Sequence, residues 1–150
     1  MWDYPRPPLI APDPRRVRVI LGGETVVDTT RALRVLETSH PPTFYLPRED
    51  VVDGALAPAT GSSFCEWKGQ AAYLDVRGGG VVAPRGAWFY PDPAAACADL
   101  AGHVAIYPAR MDACLVGDER VRGQEGDFYG GWITDEIVGP FKGAPGTWGW

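Results

Sequence analysis

The sequence is poor in the residues that most often carry chemistry: among 150 residues there are three cysteines, two histidines and two methionines. Three cysteines (Cys65, Cys97, Cys114) are an odd and sparse set. They suit reduced thiols rather than a disulfide framework. No Cys-x-x-Cys or His-x-x-x-His pair occurs, and structural zinc sites rely on such spacing because one tight turn then presets two ligands. No metal is expected, and Cys65, Cys97 and Cys114 read as small buried apolar side chains. A basic excess is also lacking: 14 Lys and Arg face 19 Asp and Glu, for a net charge of -5. Nucleic-acid binding through phosphate neutralisation is therefore disfavoured.

Long apolar runs are missing too, and the N-terminus, Met1-Trp2-Asp3-Tyr4-Pro5, does not show the basic-then-apolar pattern of a signal peptide. A cytoplasmic protein with no membrane partner is expected. The glycine clusters Gly22-Gly23, Gly78-Gly79-Gly80 and Gly130-Gly131 precede no Lys-Ser/Thr and open no helix after a strand. They read as turns rather than phosphate loops, and no cofactor is implied. Gly130-Gly131 stands apart because Tyr129 and Trp132 flank it, which suggests backbone passing close to a ring or a ligand.

What the chain has in quantity is 19 glycines, 15 prolines, six tryptophans, six tyrosines and five phenylalanines. Glycine and proline at this density leave little room for long helices and favour short strands joined by tight connections. The aromatics and a 45% hydrophobic fraction exclude a disordered chain. The length suits one domain that buries about two thirds of its unfolded surface. Residues 1–15 read as an extended proline-rich arm, and 16–150 as a single β domain.

Val17–Leu21 and Glu24–Asp28 around Gly22-Gly23 form a hairpin pattern. Thr30–Glu37 fits a strand or a short helical turn, and Thr43–Leu46 fits a strand. Pro47 with the acidic residues after it resembles a first helical turn. Two strands are predicted to flank a tight turn at Lys68-Gly69-Gln70. A strand at Ala87–Tyr90, a short helix from Ala94 to Leu100, and a hairpin pairing His103–Tyr107 with Met111–Val116 complete the pattern. The predicted fold is mainly β: an antiparallel β barrel or a two-sheet, tent-like arrangement with one or two short helices. Closing or stacking the sheets limits the exposed edges that so many short strands would leave.

The stretches ETSHPPTFYLPREDV, SFCEWKGQAAYLDV, AWFYPDP, LAGHVAIYP, DACLV, FYGGWIT and IVGPFKG.PGTWGW, in this order, resemble the domain-of-unknown-function family 427, sometimes labelled nucleotidyltransferase-like. The resemblance covers nearly the whole chain. It implies a compact β-rich domain, common in bacteria and fungi, with no settled activity. Polymerase-like nucleotidyl transfer needs clustered carboxylates, typically Asp-x-Asp shortly after a Gly-Ser, to hold two metal ions. Gly61-Ser62 is present, but Asp75 is followed by Val76-Arg77, so the carboxylate pair is missing.

Candidate site residues are polar groups set among aromatic strands. In an extended Phe64–Lys68, Glu66 and Lys68 fall on one side about 7 Å apart, close enough to share one ligand. Such charges lie either in water or inside and paired. The predicted pocket has Trp67, Trp88, Tyr90 and Trp132 as walls, with Glu66, Lys68, Arg31 and Tyr129 as its polar groups. Glu37, Tyr45, Tyr107, Asp112 and Lys142 belong to the same wider set. Arg31 reads as an anion clamp, since its fork of donors fits a carboxylate or phosphate.

Three functions stay open. The first is a small-molecule binding domain, an anionic molecule among its candidates. The second is an enzyme, a transferase or hydrolase, using Glu66 as acid or base with Lys68 or Arg31 stabilising an anion. The third is a protein-interaction module.

Overall fold

Alternating burial along short segments organises the chain, and β2 (Val17–Leu21) shows it plainly: Val17, Val19 and Leu21 are buried while Arg18 and Ile20 are half-buried. A residue pattern of period two with one apolar face specifies a strand covered on one side. The computed structural model describes residues 9–36, 42–65, 69–93, 95–123 and 131–133.

The first strand, β1 (Leu9–Asp13), precedes β2, which a Gly22-Gly23 turn joins to β3 (Glu24–Thr29). Both turn glycines have positive φ, 61° and 79°, as two-residue hairpin turns require. Next come β4 (Ala32–Leu36), β5 (Thr43–Pro47), β6 (Leu56–Cys65), β7 (Gly69–Gly78), β8 (Val81–Phe89) and β9 (His103–Ile106). The chain continues with β10 (Ala113–Val116), β11 (Glu119–Arg120), β12 (Arg122–Gly123) and β13 (Trp132–Ile133). Among the described residues, helical structure is confined to 3₁₀ segments over Arg48–Asp50, Ala95–Leu100 and Pro108–Arg110. The first two fall where short helices were expected, and the open segment after Thr30 is a strand. No helix among the described residues is long and apolar enough to cross a membrane.

A seven-stranded sheet runs β1-β4-β5-β9-β8-β7-β6, and a four-stranded sheet runs β11-β10-β2-β3. A third, two-stranded sheet pairs β12 with β13. The described pairings are antiparallel, and the sheets do not close into a barrel, so the architecture is the tent-like one. The main core lies between the two larger sheets: Val17, Val19, Val27, Cys114 and Val116 from the small sheet meet Phe44, Leu46, Leu74, Val76, Val104 and Ile106 from the large one. The opposite face of the large sheet carries a second cluster, dominated by tyrosine and tryptophan, against which Cys97 and Leu100 of the 3₁₀ segment pack.

Three details depart from the sequence pattern. Residues 9–13 of the expected N-terminal arm form β1, which pairs with β4. The predicted hairpin of His103–Tyr107 with Met111–Val116 does not form: β9 pairs with β5 and β8, whereas β10 pairs with β2 and β11. Pro108 lacks the N–H to continue a ladder, and the Pro108–Arg110 turn carries the chain from one sheet to the other. Finally, Gly69 and Gln70 belong to β7, opposite Cys65 and Phe64. The turn is therefore not centred on Gly69.

Candidate functional site

The side chains of one face of the large sheet converge because the register aligns them. Tyr73 lies opposite Trp88, Trp88 opposite Ala105, and Ala105 opposite Tyr45. Trp88 and Tyr107 have ring centroids 4.5 Å apart, and Tyr45 sits 6.3 Å from Trp88, edge to face, and 6.2 Å from Tyr90. These are the distances at which aromatic pairs attract beyond simple burial. Tyr45 is sealed at 1% exposure, but Tyr73, Trp88, Tyr90 and Tyr107 each keep 7–9%. The cluster is therefore a packed layer whose outer edge meets solvent. Small Ala105 lies between Trp88 and Tyr45 in the register, and Ala71 belongs to the same cluster.

Polar groups border this face. The Tyr107 hydroxyl is pushed up to about 12, first by burial and then by neighbouring Tyr73. It stays protonated at neutral pH and serves as a hydrogen-bonding group rather than as a base. The Arg85 guanidinium lies 4.2 Å above the Tyr73 ring, and that of Arg110 lies 4.8 Å above Tyr107. Asp75, at the irregularity where the β7–β8 register shifts, accepts the Arg85 backbone N–H at 2.9 Å. A cavity of about 410 Å³ adjoins the face through Ala71 and is also lined by Gln70, Ala72, Pro91 and Asp92.

Of the residues expected at the site from sequence, Trp88 and Tyr90 are brought together here. Trp132 is not with them: it is fully buried in the core between the sheets, stacked on Phe44 at 4.9 Å, with its indole N–H donating to the Ile106 carbonyl at 3.0 Å. Phe44 and Tyr45 alternate along β5, which is why Trp132 and Trp88 occupy opposite faces of one sheet. Glu66, Trp67, Lys68 and Tyr129 lie outside the described residues.

Arg31 is engaged elsewhere. It bridges Glu49 at 2.6 Å and Asp50 at 2.9 Å, so its fork is occupied by carboxylates of the protein itself. Arg31 also borders a second cavity of about 360 Å³ with Pro47, Glu49 and His103. The Thr29 hydroxyl donates to Asp50 at 2.6 Å. That bond, followed by the Arg31 contact, holds the Asp50 carboxyl below its ordinary 3.8. A depressed carboxyl stabilises the fold fully above its unfolded pKa, and the contribution is lost as pH falls through the folded value. The melting temperature of Asp50→Asn should therefore fall less steeply than the parent's between pH 5 and pH 3. Parallel pH profiles would count against this network.

Cys97 and Cys114 are buried, and burial pushes the Cys114 thiol well above its usual range. Burial thus favours the neutral thiol of Cys114 over the thiolate. Among the described residues no group of three or more His, Cys, Asp or Glu is placed to hold a metal ion. Asp112 accepts the Gly23 N–H at 3.0 Å and so braces the β2–β3 turn. Tyr73, Arg85 and Arg110 were not legible as site residues. The alternation of Ala71, Tyr73 and Asp75 could have marked Tyr73, but nothing in sequence marks Arg85 of β8 or Arg110 of the 3₁₀ turn as stacked on a ring.

A family model described as a domain of unknown function (DUF427) matches residues 9–117. Among curated proteins, none matches the chain.

Proposed function

The chain belongs to the family of domains of unknown function 427, and we propose that it binds a small organic molecule against the aromatic face of its large sheet. The observation that carries this reading is the contrast in burial between two aromatic groups. Trp132 and Phe44 are sealed at 0% and 1% exposure, whereas Tyr73, Trp88, Tyr90 and Tyr107 line up on one face with their edges open at 7–9%. Rigid rings beside a cavity, with a few polar groups at the border, are the usual make-up of small-molecule sites. Glu66, Trp67 and Lys68 immediately precede Gly69 and Gln70 in sequence, and Gln70 lines the adjoining cavity. They remain the candidates for its remaining polar groups and for any acid–base chemistry.

The test is a screen of small uncharged aromatic and heteroaromatic compounds, read by thermal shift and by tryptophan fluorescence. Compounds that raise the melting temperature should bind Trp88→Phe or Tyr90→Leu about tenfold more weakly, a loss of roughly 1.4 kcal/mol. Binding to Trp132→Phe should match the parent. Hits that bind all three variants equally would overturn the assignment.

A further inference from the structure

Among the described residues, Arg85 is the one non-glycine residue at positive φ, 52°. Left-handed backbone is costly for a residue with a Cβ, and this chain places glycine at its other such positions, Gly22, Gly23, Gly54, Gly79, Gly80, Gly102 and Gly117. An arginine kept where glycine would relieve strain indicates that its side chain is needed. The surroundings hold it in place from both ends: Asp75 takes its backbone N–H at 2.9 Å, and the Tyr73 ring lies 4.2 Å beneath its guanidinium.

Arg110 is built into the same corner. Its Nη1 donates to the carbonyls of Pro84 and Arg85 at 3.1 and 2.9 Å, with the Tyr107 ring 4.8 Å away. Two guanidinium groups thus border one short segment, each resting on a tyrosine, and Tyr73 is among the groups that raise the Tyr107 hydroxyl. Four other arginines, Arg15, Arg16, Arg31 and Arg34, pair with Asp or Glu of the protein. Arg85 and Arg110 pair with none of the described carboxylates, although the chain carries a net charge of -5. Stacking on a ring face leaves the in-plane N–H donors of the Arg85 guanidinium open, and in Arg110, whose Nη1 is taken by the two carbonyls, the Nε and Nη2 edge remains; such a fork matches a carboxylate or phosphate.

We propose that Arg85 and Arg110 together bind an oxyanion, the carboxylate or phosphate of a small molecule lying on the tyrosine face. This rests on the reading of that face as the ligand surface. It names the ligand class as anionic and replaces Arg31 with a different pair of cations.

Inorganic phosphate and acetate are suitable probes, because neither has an aromatic body and both report on the arginines alone. Each is titrated into the full chain at constant ionic strength, with binding read by calorimetry. Saturable binding of at least one probe is expected. Arg85→Gly should weaken it at least tenfold while melting no lower than the parent, since glycine suits the backbone there. Arg110→Gln should lose binding similarly, whereas Arg16→Gln, altered at an exposed pair with Asp28, should bind like the parent. Tighter phosphate or tighter acetate would each support the oxyanion site and identify the group it prefers. Absence of saturable binding, or equal binding by Arg85→Gly and Arg110→Gln, would overturn it. Uncharged aromatic hits that still depend on Trp88 would then leave the proposed function standing, while probe binding without such hits would preserve the arginine site alone.

Discussion

Gly79→Ala is expected to lower the melting temperature by roughly 6–12 °C, on the scale of about 2–4 °C per kcal/mol for a chain of this size. The β2–β3 turn and the β7–β8 turn touch backbone to backbone. A Cβ built on Gly79 would lie 1.8 Å from the Gly22 carbonyl oxygen, and one built on Gly22 would lie 2.0 Å from that of Gly78. Neither oxygen is the end of a flexible side chain, so the two turns must separate. The φ of Gly79, +55°, adds about 1–2 kcal/mol for any residue with a Cβ. Together these give a loss of about 3 kcal/mol or more, in the upper part of the range for point changes.

The neighbouring glycines serve as the control. Gly23 and Gly80 both have φ of +79°, yet a Cβ at either meets nothing within 4 Å. Alanine there should cost only the conformational part, about 1–2 kcal/mol. Gly22→Ala and Gly79→Ala should therefore melt well below Gly23→Ala and Gly80→Ala. Equal losses in all four would show that turn conformation alone, and not the contact between the turns, sets the requirement.

Trp132→Ala should be comparably severe, at about 3–5 kcal/mol for a fully buried aromatic. The indole is 0% exposed, stacks on Phe44 at 4.9 Å, and donates its N–H to the Ile106 carbonyl at 3.0 Å. Removing it opens a cavity between the sheets and leaves a buried carbonyl without that donor. Trp132→Phe retains most of the volume and isolates the second loss, worth about 1–3 kcal/mol for an unsatisfied buried group. Urea unfolding of the two variants separates the contributions. A Trp132→Ala protein as stable as its parent would mean that this ring is not a keystone of the core.

Trp132 also illustrates how the site could be misread. Strand alternation is visible in sequence, and it correctly groups Val17, Val19 and Leu21 on one face of β2. It does not reveal which of two faces belongs to which core. In a large sheet with one face toward the small sheet and the other carrying the tyrosine layer, Phe44 and Tyr45 are adjacent in sequence and separated in space. An aromatic residue from a distant strand can join either group. The same limit explains β9 and β10, whose residues pattern as a hairpin but pair in different sheets. Pairing partners depend on long-range contacts that a local pattern does not contain.

By itself the sequence determined the fold class, because glycine and proline density leaves only short strands and the aromatic content demands a core. It also determined the Gly22-Gly23 hairpin, because two consecutive glycines between alternating segments have few other uses. Only the tertiary structure decided which charged residues meet carboxylates and which rest on rings. Arg31 looks available in sequence and is held by Glu49 and Asp50, whereas Arg85 and Arg110 look like ordinary loop residues and rest on Tyr73 and Tyr107. The physical reason is that the availability of a charge is a property of its neighbours in space: its Coulomb and hydrogen-bond partners come from strands brought together by the sheet register, tens of residues apart along the chain.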